Sequence, residues 1–164
     1  MRKCTNLLWS DLDADRATGA KILDAPRLAL LAEAYGKVGQ VGEGLSALAE
    51  ALAVADSTGE RIYEAELYRL RGELTLAQSS VQCLESSVRK EAEEYFHKAI
   101  EIAQRRQAKA LELRAVMSLS RLWQKQDKKT EAHQMLSETY NWFTEGFDTK
   151  DLQEAKALLA ELSD

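Results

Sequence analysis

Three groups of residues carry the types and spacings from which chemistry could be built. Gly36, Gly39, Gly42 and Gly44 surround Lys37, the composition of a loop whose backbone N–H groups cradle phosphate. The run lacks the Gly-Lys-Ser/Thr ending and follows no strand pattern, so it reads as a turn between helices, where glycine takes positive φ without penalty. Glu94 and His97 stand three apart, with Glu93 and Glu101 four residues to either side of the histidine. On a helix these share a face and match half of a carboxylate-bridged di-iron site. The other half is missing, because His133 has no glutamate at that spacing, so no metal is expected. No Ser, Cys or Asp stands in the context of an activated nucleophile. The chain therefore reads as non-enzymatic, with no catalytic residue and no cofactor. The third group is a set of charged and amide side chains at helical spacing, whose meaning depends on the elements that carry them.

Those elements are helices. Proline occurs once in 164 residues and no stretch alternates apolar and polar residues as a half-buried strand does. Ala, Leu, Glu, Lys, Arg and Gln dominate, side chains that lose little freedom in a helix. An apolar fraction of 45% suffices for a core without cross-links, in line with two distant cysteines, Cys4 and Cys83. These read as reduced thiols of a cytoplasmic protein. Asp11, Asp13 and Asp15 break the apolar N-terminal stretch before a signal peptide could form, and no apolar run is long enough for a membrane span. A net charge of −5 argues against nucleic acid as a partner, and no membrane partner is expected.

The helices repeat. Residues 18–22 match residues 58–62 at a spacing of 40, and Ala25, Leu28, Leu30 and Ala32 pair with Ala65, Tyr68, Leu70 and Gly72. A third copy follows 48 residues later, setting Val116, Ser120 and Trp123 against Tyr68, Gly72 and Thr75, once eight residues are inserted in the Ser-rich stretch 79–87. In the second helix of each unit Gly44, Ala92 and Ala132 correspond, then Leu48, Phe96 and Leu136, then Ala51, Ala99 and Thr139. Small residues where antiparallel helices cross permit close approach, and the large ones fill the space between. The expected divisions are a half-repeat helix at 3–17, repeats at 20–57, 60–106 (with loop 79–87) and 108–145, and a capping helix at 149–163 N-capped by Asp148 or Thr149. The half-repeat would leave Leu7, Leu8, Trp9 and Leu12 partly uncovered, a candidate edge for homodimerisation.

The small-x3-large-x2-small pattern at Ala92, Phe96 and Ala99 resembles the tetratricopeptide consensus, with a period longer than the usual of about 34 residues. It implies an all-α, right-handed superhelix of antiparallel hairpins, with about seven to eight helices. The stretches RATGA (16–20), LLAEAYGKVGQ (30–40), ELYRLRGEL (66–74) and WFTEGFDTKDLQEAKALL (142–159) resemble the C-terminal tetratricopeptide region of large bacterial predicted ATPases. Those proteins often carry adenylate or guanylate cyclase or transcriptional-activator domains. The likeness spans about residues 16–163 and implies a sensing or docking arm separate from the nucleotide chemistry. With no ATPase, cyclase or DNA-binding sequence, the chain is either a free-standing remnant of that region or a part of a larger protein.

Concave walls of such solenoids bind partners. The first helix of each hairpin would present Glu33, Lys37, Arg69, Glu73, Arg114, Met117, Arg121, Gln124 and Lys125 there. The third repeat contributes mostly cations, which favours an acidic peptide, a terminal carboxylate or a phosphorylated ligand. The first expectation is a scaffold that binds a protein or peptide. The second is a sensory module taking a small metabolite, suggested by Tyr35, Tyr68 and Trp123 near the groove.

Overall fold

The computed structural model describes residues 24–59, 61–78 and 85–163. These form seven α-helices and no strand: α1 (Asp24–Lys37), α2 (Val41–Thr58), α3 (Glu64–Gln78), α4 (Glu85–Arg105), α5 (Lys109–Gln124), α6 (Lys129–Tyr140) and α7 (Lys150–Ser163). The expected helix at 3–17 and the bulk of the loop at 79–87 lie outside the described residues. Glu85, Ser86 and Ser87, assigned to that loop from their polarity, instead begin α4. Serine is tolerated in the first helical turn, where orphan N–H groups welcome its oxygen. None of the described helices is long and apolar enough to cross a membrane.

Each helix packs on the next, and α1, α3, α5 and α7 also touch one another in series. Among the described residues α2, α4 and α6 make no such mutual contacts. The result is a continuous layer of four helices backed by three separate ones.

Small residues at the crossings explain the close approach within hairpins. A Cβ on Gly72 would lie 2.5 Å from Cε1 of Phe96, so α3 and α4 close only because position 72 has no side chain. One repeat earlier a Cβ on Gly44 would lie 3.2 Å from the Ala32 carbonyl oxygen. One repeat later the Ser120 hydroxyl donates to the Ala132 carbonyl at 3.4 Å. Leu48, Phe96 and Leu136, the large residues of the matched positions, are each fully buried. Leu74 crosses between hairpins, filling the space left by Gly36 and Gly44.

The turns repeat as well. Gly39 and Asp127 adopt φ of 75° and 60°, and the next residues, Gln40 and Lys128, donate their N–H to the carbonyls of Tyr35 and Trp123 at 2.9 and 3.0 Å. These are helix ends closed through a left-handed residue. Between hairpins the left-handed positions are Gly59 (φ 73°) and Gln107 (φ 57°). Of the glycine-rich run, Gly39 lies in the interhelical turn, whereas Gly36 belongs to α1 and Gly42 and Gly44 to α2.

One matched pair behaves differently. Leu70 is buried at 3% exposure while Leu30 is 57% exposed. Leu70 lies on α3, which α1 covers, whereas no described helix stands in front of α1. At the opposite end α7 buries Leu152, Ala155, Leu158 and Leu162 against the third hairpin. Thr149 sits immediately before α7, but its hydroxyl donates back to the Gly146 carbonyl at 2.7 Å rather than capping forward.

Candidate functional site

The four-helix layer carries a band of charge across its face. On α3, Glu66, Arg69 and Glu73 are spaced three and four apart and therefore share that face. Arg69 is buried and donates through Nε and Nη2 to both carboxylate oxygens of Glu66, at 2.9 and 2.7 Å. Its Nη1 donates to Glu73 Oε1. Burial opposes the charge on Arg69, and the bonds from Glu66 and Glu73 outweigh it, raising the guanidinium pKa above its ordinary value. The Ser118 hydroxyl of α5 donates to the same Glu73 oxygen at 2.8 Å.

From α5, Arg114 Nη2 reaches Glu66 Oε1 at 3.0 Å, and its Nε lies 4.0 Å from Asp151 of α7. Arg121 pairs with Glu154 at 3.2 Å, and Lys150 stands 3.6 Å from the other Glu154 oxygen. On α1, Glu33 pairs with Lys37 at 2.7 Å. The Lys37 hydrogen bond holds the Glu33 carboxyl below its usual pKa, opposed by partial burial and aided by the charges of Lys37, Arg69 and Arg114. The band is a chain of shared partners through α3, α5 and α7, with Glu33 coupled to it through space.

These side chains border an open depression of about 200 Å³. Six of the nine expected wall residues line it: Glu33, Arg69, Glu73, Arg114, Met117 and Arg121. The other three separate. Lys37 joins a separate cleft between α1 and α3, Lys125 borders a cavity nearer α4, and Gln124 is half-buried and lines neither the depression nor that cavity. Arg69 and Met117 are 6% and 3% exposed, so both act as floor rather than free wall.

The expectation of a positive wall is corrected. The depression is lined by four carboxylates (Glu33, Glu73, Asp151 and Glu154) and four cations (Arg69, Arg114, Arg121 and Lys150). The balance comes from α7, which lays its acidic side along the basic side of α5. A preference for an acidic ligand loses its basis, since Arg114 and Arg121 already face carboxylates. Glu66, Ser118, Asp151 and Glu154 were missed in the sequence. Glu66 carried a usable signal: it matches Arg114 at the 48-residue shift, and opposite charges at one repeat position in adjacent helices should meet.

The aromatic residues turn elsewhere. Tyr68 stacks on Tyr95 of α4 with ring centres 6.4 Å apart, and Lys98 Nζ lies 4.1 Å from its ring centre. Trp123 Nε1 donates to Glu93 of α4 at 2.7 Å. Both face α4 instead of the groove, which removes their part in the metabolite argument. Glu93 also lies 3.9 Å from His97, whose ring centre is 6.0 Å from that of Trp123. Among the described residues no three His, Cys, Asp or Glu side chains gather as a metal ion would need. Leu7, Leu8, Trp9 and Leu12, the expected dimer edge, lie outside the described residues.

The cavity nearer α4 has a volume of about 410 Å³ and lies between α3, α4 and α5. Apolar Leu76, Val88, Phe96 and Leu122 line it together with Arg89, Arg121 and Lys125. No model of a known protein family matches the chain, and no curated protein sequence matches it.

Proposed function

We propose that this chain is a tetratricopeptide-type docking module whose α1, α3, α5 and α7 layer receives an extended peptide or a helix from a protein partner. The carrying observation is the charge band: four helices from distant parts of the sequence place paired, partly exposed carboxylates and cations around one open depression. Four inner helices in mutual contact, backed by three that are not, suit a layer that curves toward the inner side. Open, pre-paired charges select by geometry and register more than by net attraction. The partner segment therefore carries both signs, able to exchange with the rim pairs Arg121–Glu154 and Lys37–Glu33.

The test reverses one rim charge. Arg121→Glu removes an exposed pair worth roughly 0–1 kcal/mol to the fold, so the protein stays folded. Retention of an isolated partner should fall at least tenfold, while Glu131→Arg on the outer face of α6 leaves it unchanged. Equal retention by all three proteins refutes the groove as the binding site.

A second reading, a sensory module for a small molecule, is favoured by one observation. The cavity between α3, α4 and α5 falls within the size range of small-ligand sites, roughly 300–1,000 Å³.

A further inference from the structure

The cavity stands at the one irregularity of the repeat. In the first and third hairpins the helices are joined through residues 38–40 and 125–128. In the second, α3 ends at Gln78 and α4 begins at Glu85. Shifting the starts of α2 and α6, Val41 and Lys129, into the second repeat gives position 89 in both cases, so α4 begins a full turn early. Val88 belongs to that added turn, and Arg89 follows it.

The added turn faces the ends of α3 and α5. It sets half-buried Val88 opposite half-buried Leu76, above the buried Phe96 ring and Leu122. On the α5 side the rim carries Arg121 and Lys125. Lys125 is exposed and is in none of the described ion pairs, unlike Arg121, which Glu154 holds. Among the described residues Glu73 is the one carboxylate lining this cavity, and its Oε1 already accepts from Arg69 and Ser118. An apolar floor rimmed by Arg121 and Lys125 on the α5 side and by Arg89 of α4, with the Glu73 carboxylate engaged, is complementary to a molecule with an apolar body and an anionic head.

We infer that the cavity between α3, α4 and α5 is a binding site for an amphipathic organic anion, its hydrocarbon part on Val88, Leu76 and Leu122 and its charged head at Lys125 and Arg121. The inference rests on the sensory reading and names its ligand chemistry. Because the cavity shares Glu73, Ser118 and Arg121 with the charge band, an anionic head here competes for the cation that Glu154 holds. Occupancy is thereby coupled to the docking groove.

The test uses three probes of equal chain length, decanoate, decanol and decylammonium, the two ions titrated below their micelle-forming concentrations and decanol below its aqueous solubility. Binding is followed by melting temperature and by backbone amide shifts. Decanoate should bind saturably, shifting the amides of Leu76, Val88 and Lys125, and at least tenfold more tightly than decanol or decylammonium. Lys125→Glu should weaken decanoate at least tenfold, and Val88→Trp, which fills the cavity, should abolish it. Lys129→Glu, at the start of α6, should change nothing. Helical circular dichroism checks that each variant is folded. Saturable binding that ignores the head group, or favours decylammonium, overturns the anion assignment and leaves a small-molecule site in place. No saturable binding by any probe overturns both.

Discussion

Replacing Gly72 by alanine separates packing from helix propensity, because the two predict opposite signs. On propensity alone, alanine in the middle of a helix gains about 1 kcal/mol over glycine. The structure opposes this gain. The new methyl carbon would stand 2.5, 2.9 and 3.0 Å from Cε1, Cδ1 and Cζ of Phe96, well inside the roughly 3.5 Å of an ordinary carbon contact. The ring is fully buried, so the methyl group is admitted only if the ring swings aside or α4 moves away from α3. Overpacking of this kind costs about 1–3 kcal/mol. A carbon placed so far inside contact distance belongs at the upper end, and a net loss of about 2 kcal/mol remains after the propensity gain. The first repeat indicates the remedy, since Ala32 and Leu48 occupy the matched positions there. Phe96→Leu combined with Gly72→Ala should recover at least 1 kcal/mol relative to the sum of the single variants, read by urea denaturation at the helical circular-dichroism signal. A stabilising Gly72→Ala, or additive single effects, would refute the assigned register of α3 against α4.

Other predictions concern the charge band and the turns. Glu66→Ala leaves buried Arg69 without its two-bond partner and should cost about 3 kcal/mol in the same denaturation assay, whereas Glu66→Leu with Arg69→Met should be near neutral; equal losses would show that the pair is not desolvated. Gln107→Gly relieves a left-handed backbone at φ 57° and should raise stability by about 1 kcal/mol, with a smaller gain for Asp127→Gly because aspartate tolerates that region. A loss at position 107 would contradict the turn geometry. Because the folded Glu33 carboxyl is held below its usual 4.5, its contribution to stability is present above that value and disappears as the pH falls through the lower folded pKa. In an NMR titration the Glu33 midpoint should lie below 4.5 and move upward in Lys37→Met. An unchanged midpoint would remove the ion pair as the cause.

The helices and their crossings were legible in the sequence because they depend on residue size at fixed spacing. Gly44, Ala92 and Ala132, then Leu48, Phe96 and Leu136, could be aligned without knowing any contact, and all six are buried. The left-handed turn was legible at Gly39, where glycine marks it, and invisible at Gln107 and Asp127, where the backbone takes the same conformation without that signature. The shared face of Glu33, Arg69, Glu73, Arg114, Met117 and Arg121 was legible from their spacing, and its charge balance was not. Arg114, Arg121 and Lys125 look cationic along α5, but the carboxylates that neutralise the first two come from α3 and α7. Since α7 is not a copy of the repeat, no periodicity foretells which of its faces meets α5. The cavity was hidden for a related reason. The Ser-rich stretch signals a loop, while its last three residues begin α4 and so place Val88, which follows them, in a helical turn that lines the cavity.

The docking role is tested most directly by photo-crosslinking from defined positions. A photoreactive side chain is placed at Arg121 or Glu154 on the rim of the depression, or at Gln134 or Glu138 on the outer helix α6, all partly or fully exposed. Each variant is irradiated in the presence of the isolated partner. Crosslinks should form from the two rim positions and not from the two outer ones. Crosslinks confined to Gln134 and Glu138 would contradict the account and place binding on the opposite face.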